Sequence, residues 1–497
     1  MLAFKNISQS HNKRRYSVIR IQVDAKQRFH MDNTQKENKM GVMPVNKLLV
    51  TMAAPMVLSM LMQAMYNIVD SIFVGKYDKN ALSAVTMAFP AQALMIAIAA
   101  GTGVGINALL SYSLGRKDAE NVNKAATHGI LLAALSSILF IILGLCFSET
   151  FYRVQISAKE MSENPEQCKA IIQYGKEYLS VVTLFSLGIF MQVTLERLLQ
   201  STGKTIYAMI TQTTGAILNI GLDYIFVFGK LGLPAMGAKG AALATVIGQW
   251  VAMILAFILN ITKNKEVNLS FKGFRPDGRT IRTIYRVGVP SIIMQAISSV
   301  VTFVLNKLLN GFSQVAVNAF GIYFKLQSFV FMPVFGLNNG MVPIISYNYG
   351  ARHKKRILQT MKLSYIIAGS IMAIGMVIFL LIPKPLLSMF CKPEDLAELA
   401  RYGVPCLRLI SLHFIVAAFS IITISVFQAL GNGTYSMIVS ICRQLVILLP
   451  VALFMGLVLK NIDLVWLSYP IAEIASASMC AFFLVKIYRK SLKGLPD

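Results

Sequence analysis

Ser59-Met60-Leu61-Met62-Gln63-Ala64 returns later in the chain as Ser291-Ile292-Ile293-Met294-Gln295-Ala296. Working outward, Ser111-Tyr112-Ser113-Leu114-Gly115 matches Ser346-Tyr347-Asn348-Tyr349-Gly350, which aligns Gly101 and Gly105 with Gly336 and Gly340, and Gln92 with Gln327. Gln200-Ser201-Thr202-Gly203 and the Tyr207-Ala208-Met209-Ile210 that follows match Gln428-Ala429-Leu430-Gly431 and Tyr435-Ser436-Met437-Ile438. The offsets stay within roughly 228–235 residues, an ordered series that chance likeness between apolar segments does not produce. The chain is therefore an internal repeat.

What repeats is a set of membrane spans. Of 497 residues, 56% are hydrophobic and 14% charged, against about a quarter charged in soluble domains. A span needs about 20 mainly apolar residues. Such stretches fall near 48–74, 81–113, 122–147, 170–199, 206–228 and 237–262, then 284–310, 315–346, 357–383, 398–429, 435–458 and 462–487. The expectation is an all-α integral membrane protein of about twelve transmembrane helices in two pseudo-symmetric six-helix lobes. It divides into an N-lobe at 43–262, an inter-lobe loop at 263–286 and a C-lobe with a basic tail at 287–497. Six spans per repeat give both halves the same orientation, so their axis runs along the membrane normal, as in an alternating-access transporter.

The net charge of +25 is spread in short runs between apolar blocks and does not form a nucleic-acid patch. Arg116, Lys117, Lys204, the 263–286 loop, Arg352 to Arg356 and the C-terminal Lys486, Arg489, Lys490 and Lys493 fall on one side. Base favours that side by roughly three to one, which makes it cytoplasmic and both termini with it, in the cell membrane. Residues 1–42 are basic and lack the apolar core of a signal peptide. They read as a disordered tail, or as an upstream start with the true start at Met31 or Met40. The six scattered cysteines form no C-x-x-C pair, so neither a disulfide framework nor a zinc site is expected.

Two motifs mislead. Thr202-Gly203-Lys204-Thr205 imitates the end of a phosphate loop, but Leu198 stands where the first glycine is required, so it reads as a turn. Gly103, Gly105 and Ala108 imitate a dinucleotide fingerprint inside an apolar helix, where Gly101 and Gly105 read instead as close helix packing. No ATP-hydrolysing or other enzymatic constellation is present, no cofactor is expected, and transport energy is expected from an ion gradient.

Polar residues inside spans are costly, so they carry the information. Gln63, Tyr66, Asn67 and Asp70 fall at i, i+3, i+4 and i+7, one stripe on the first helix. Asn219 and Asp223 share a face of the fifth. Glu196 and Arg197 read as a structural pair, and Lys307 and Arg443 as side chains snorkelling to headgroups. Gln295 and Glu473 are secondary candidates.

The series Pro55-x-x-x-Ser59-x-x-x-Gln63-x-x-Tyr66-Asn67-x-x-Asp70-Ser71-x-Phe73-x-Gly75 resembles the first helix of the MATE (multidrug and toxic compound extrusion) transporters. Asn219-x-Gly221-Leu222-Asp223, with Gly240 to Thr245, resembles their fifth and sixth helices. Gly336 to Ala351 resembles the eighth, and Arg443-Gln444 with Pro450 the eleventh. The opening Met43-Pro44-Val45-Asn46-Lys47-Leu48 is similar to the DinF-like and MepA-like bacterial branch. The resemblance implies a monomeric multidrug efflux antiporter in a lipid bilayer, exporting small organic, often cationic, compounds in exchange for H⁺ or Na⁺. It places ion coupling on Asp70, Asn219, Asp223 and Thr245, with Gln63, Tyr66 and Asn67 lining the substrate cavity. The acidic residues that the NorM-like branch carries in helices seven and ten are absent at 284–310 and 402–429.

Two carboxylates in one dehydrated pocket hold a proton more readily than either alone, and Asp, Asn and Thr oxygens suit Na⁺ equally. The main rival is a lipid-linked oligosaccharide flippase of the same superfamily, which would carry cationic cavities for pyrophosphate lipids. A major-facilitator transporter would share the helix count, but the acidic residue and glycine expected before Gly115-Arg116-Lys117 are absent.

Overall fold

The computed structural model describes residues 37–156, 161–162, 164–271, 274–391 and 393–496. The stretch 1–36, most of the expected tail, lies outside the described residues. Within the unit Met1–Met43, the described part contains one helical turn, Lys39–Val42, with the Asn38 side chain accepting from Met40 N at 3.0 Å.

In lipid a backbone must satisfy its own polar groups, and an apolar chain does so by folding into helices. From Pro44 onward there is no strand among the described residues. The helices are α1 (Val45–Tyr77), α2 (Lys79–Gly115), α3 (Ala119–Gln155), α4 (Pro165–Leu184 continuing as Leu187–Ser201), α5 (Thr205–Phe228) and α6 (Gly237–Lys263). In the second half come α7 (Gly278–Asn310), α8 (Gln314–Gly350), α9 (Lys354–Leu381), α10 (Leu396–Ser411 continuing as Phe414–Ala429), α11 (Gly433–Val458) and α12 (Ile462–Leu492). Asp78, Asp118, Asp277, Ser313 and Asn461 accept the orphan N–H groups at the starts of α2, α3, α7, α8 and α12. The misleading Thr202–Lys204 motif is the turn between α4 and α5, with Gly203 at φ +85° and its counterpart Gly431 at +75°.

Nine of the described helices are long and apolar enough to span a membrane, and counting each bent pair, α4 at 45° and α10 at 51°, as one span brings the number to eleven. The twelfth expected span is α5. It is 24 residues long, ample to cross at 1.5 Å per residue, but Thr211, Gln212, Thr213, Thr214, Asn219 and Asp223 lower its hydropathy.

The repeat is legible in individual contacts. Ser111 Oγ donates to Ser201 O at 2.9 Å, and its equivalent Ser346 Oγ donates to Ala429 O at 2.8 Å. Lys117 and its equivalent Arg352 both turn the chain at positive φ, 56° and 63°. The halves meet along a glycine seam, α2 on α7 and α8 on α1. A methyl on Gly105 would collide with the Ile284 carbonyl, and one on the equivalent Gly340 with the Ala53 backbone. Gly115 packs on Tyr347, and Gly350 reciprocally on Tyr112. Small residues that let backbones approach are how helices associate without a hydrophobic drive between them. The tightest of these contacts lie at the last turns of α2 and α8, the face that also carries Lys47, Arg116, Lys204 and Arg352, here called the basic face.

Candidate functional site

A cavity of about 470 Å³ opens between α1, α2, α4, α5 and α6. The stripe on α1 faces it as a unit: Gln63, Tyr66, Asn67 and Asp70 all line the wall. Asn219 of α5 and Thr245 of α6 form the wall opposite. Asp223, one turn beyond Asn219, is fully buried behind that wall. In the orientation that satisfies both ends of its amide, Asn219 donates to Asp223 Oδ2 at 3.3 Å and accepts from Thr245 N at 3.1 Å and Thr245 Oγ1 at 3.2 Å. Asp70 and Asp223 are close enough to feel each other's charge. Each keeps Oδ1 buried without a partner, and a buried carboxylate oxygen in that state is a place for a proton or a cation.

The sequence expectation missed the cavity's deep end. Glu196 of α4 is 2% exposed and lines the cavity toward the basic face. Gln192 donates to its Oε1 at 3.0 Å, Thr211 to Oε1 at 3.1 Å and Gln212 to Oε2 at 2.8 Å. It does not pair with Arg197, as expected from adjacency. Consecutive helical residues diverge by about 100°, and Arg197 turns away to Gln200 Oε1 at 2.8 Å and Asn339 Oδ1 of α8 at 2.9 Å. The available signal was the i, i+4 spacing of Gln192 and Glu196. Gln92 of α2, donating to Tyr178 of α4 at 2.8 Å, completes the polar wall.

The two secondary candidates lie outside this cavity. Gln295 of α7 makes only a local contact to Ser291 O at 3.4 Å. Glu473 of α12 is in the second half, where Arg443 Nη1 donates to its Oε2 at 3.2 Å. Arg443 is thus a paired side chain inside the bundle rather than a snorkelling one.

The lining contains Asp70 and Glu196 but no Lys, Arg or His. Aromatic and aliphatic faces, among them Tyr66, Phe89, Met95, Tyr178 and Ile189, fill the rest. Among the described residues no three His, Cys, Asp or Glu side chains cluster as metal ligands. The chemistry on offer is a desolvated, anionic pocket with amide donors and aromatic walls.

A family model described as MatE matches residues 55–225 and 290–454. The multidrug export protein MepA of Staphylococcus haemolyticus (strain JCSC1435) is 25% identical over 442 residues, 89% of this chain and 93% of that protein. Its namesake in Staphylococcus aureus (strain MSSA476) is 26% identical over 451 residues, 90% and 95% of the two chains. A crystal structure of MATE in complex with MaL6 superposes with a TM-score of 0.84 at 24% identity, over 93% of this chain and 100% of that one. An outward-facing conformation of a multidrug resistance MATE family transporter of the MOP superfamily gives 0.83 at 24% identity, over 93% and 99%. The two structural likenesses bear on the fold.

Proposed function

We propose that this chain, which belongs to the MatE family, is a multidrug efflux antiporter that exports organic cations in exchange for H⁺ or Na⁺. One observation carries the reading: the cavity wall bears carboxylates and aromatic faces and no basic side chain. An organic cation gains from the charge and from cation–π contact, while aliphatic walls accept varied apolar bodies. The relatives named as multidrug export proteins support the same reading. A flippase for pyrophosphate-linked lipids would need basic residues where this wall has acids.

Exchange follows from competition. Asp70 and Asp223 cannot both stay ionised and unpaired in a dehydrated pocket. Either the coupling ion occupies them or the substrate's positive charge does, so loading one expels the other. One pH unit supplies about 1.4 kcal/mol and 100 mV about 2.3 kcal/mol per charge, enough to bias a two-state closure. Glu196, deeper toward the basic face, extends the path along which a proton leaves.

The lysine and arginine bias makes the basic face cytoplasmic, with both termini there. The glycine seam packs the two halves together at that face, which supports a reading in which substrate is released and the ion taken up on the opposite side. Two lobes around one path need no second subunit, and we take the monomer as the working unit.

The test is ion counterflow driven by an organic cation in proteoliposomes. Wild-type protein should move H⁺ or Na⁺ against the substrate. Asp70→Asn and Asp223→Asn should reach the membrane at normal levels yet abolish counterflow. Counterflow at the wild-type rate with unchanged pH dependence in both variants would make these carboxylates structural and refute the coupling role.

A further inference from the structure

Among the described residues, Glu473 is the one carboxylate in the second six helices that lies beyond a helix's first turn. It stands about 17 Å into α12, and Arg443 about 15 Å into α11, so the two meet at mid-membrane depth. The side chains are 5% and 25% exposed. Their single contact of 3.2 Å is longer than the 2.7–2.9 Å usual for a charge-assisted bond and is not bidentate. Glu473 Oε1 is buried with no partner. A buried pair holds only when its geometry is good and its remaining lone pairs are satisfied. This one is poorly closed.

Its surroundings are irregular on both sides. Arg443 sits in a π-helical segment, Cys442–Leu448, just before Pro450. His413, which faces the pair, occupies the bend of α10, its Nδ1 bonded to Ile410 O. The other titratable groups that face Glu473 or Arg443 are Tyr323 from α8 and Tyr469 and Cys480 from α12 itself, with Cys406 of α10 beside the two tyrosines. None brings a second cation to Glu473.

The repeat says what the pair replaces. The 228-residue offset that aligns Gln200–Ile210 with Gln428–Ile438 places Arg443 at the position of Gly215. Gly215 lies against Gly248 of α6, and both line the first-half cavity. Where the first half has Gly215 and open space, the second half has Arg443 on α11 reaching Glu473 on α12.

We propose that Glu473 is a second proton site and that the Arg443–Glu473 pair is a proton-operated plug in the second-half counterpart of the cavity. Glu473 Oε1 takes one proton from water, the ion pair becomes a neutral acid and a free guanidinium, and Arg443 turns to its exposed side. Loss of the proton re-forms the pair. The proposal rests on the antiport reading, with H⁺ as the coupling ion.

The experiment measures protons moved per substrate exported in proteoliposomes, for wild type and for the double variant Arg443→Gln/Glu473→Gln, which leaves no charge uncompensated. The expected double variant exports substrate with a ratio lower by about one proton and a shallower pH profile. A double variant with the wild-type ratio and profile would overturn the proposal and leave the first-half coupling intact. A wild-type protein that moves no protons would overturn the H⁺ reading itself, and this proposal with it. Should the double variant fail to fold, infrared difference spectra on acidification decide: a carboxylic-acid band in wild type that shifts in Glu473→Asp supports the site, and its absence refutes it.

Discussion

Arg197 on α4 donates to Asn339 on α8 at 2.9 Å, across the boundary between the two sequence halves. The residue before it, Glu196, points into the first-half cavity. One turn of helix thus carries a cavity carboxylate and a tie to the opposite half, so movement at one is felt at the other. A hydrogen bond from a charged group contributes about 1.5–3 kcal/mol. Arg197→Gln should therefore shift the equilibrium away from the closed basic face by roughly 10- to 100-fold. Spin-label distances across the α2–α8 ends would register a second, longer population. An unchanged distance distribution with normal export would show the contact to be incidental.

Glu196→Gln should keep the cavity intact while removing the charge: its amide oxygen still accepts from Gln192 and Thr211, and its NH2 donates to Gln212 once that amide turns to present its unpartnered Oε1. Export of organic cations should fall by about 10-fold or more, the loss of one desolvated charge contact of about 1.5–3 kcal/mol. Neutral substrates should be much less affected. A uniform loss for charged and neutral compounds would point to misfolding, and an unchanged cation preference would remove Glu196 from the binding role.

The boundary between what was legible in the sequence and what was not follows physical lines. Gly101 and Gly105 as packing glycines and the α1 stripe are readable because periodicity fixes which residues share a helix face; that the glycines pack one half on the other is not. Asp70, Asn219 and Thr245 could be placed around one cavity for the same reason, with a family resemblance supplying the pairing between helices. The partners of Glu196 are not legible, because adjacency to Arg197 in sequence is not adjacency in space. Nor is the pairing of Arg443 legible, because its surroundings are set by tertiary packing and its partner Glu473 is on another helix. Helix α5 is only weakly apolar because Gln212 and Asn219 line the cavity while Thr211 and Asp223 bond inside the bundle, so none of these four faces lipid.

The seam itself can be tested by a matched pair of substitutions. A methyl on Gly105 would run into the Ile284 backbone, which cannot move aside without separating α2 from α7, whereas Gly221 on α5 has nothing within 4 Å. Overpacking typically costs about 1–3 kcal/mol and more against backbone. Gly105→Ala should lower the melting temperature in detergent by several degrees and reduce the folded yield. Gly221→Ala should lie within about 0.5 kcal/mol of wild type. Equal behaviour of the two would mean the halves are not held by close backbone approach.

The loop entering α7 offers a test outside the membrane. Asp277 caps the helix: Oδ2 accepts from Thr280 Oγ1 at 2.6 Å and Oδ1 from Arg279 N at 3.0 Å. Its own N–H donates to His128 Nε2 of α3 at 2.7 Å. The Thr280 hydroxyl first, then the backbone N–H groups and Lys124, hold the Asp277 carboxyl below its ordinary value. A depressed acid stabilises the fold fully above its unfolded pKa, and that contribution is lost as pH falls through the lower, folded value. Replacing the cap by Asp277→Ala should lower the melting temperature by about 1–3 °C at neutral pH. The gap between wild type and variant should hold steady from about pH 8 to pH 5 and close in stronger acid. A gap that stayed open in stronger acid would mean that the ionised carboxylate cap is not what Asp277 contributes.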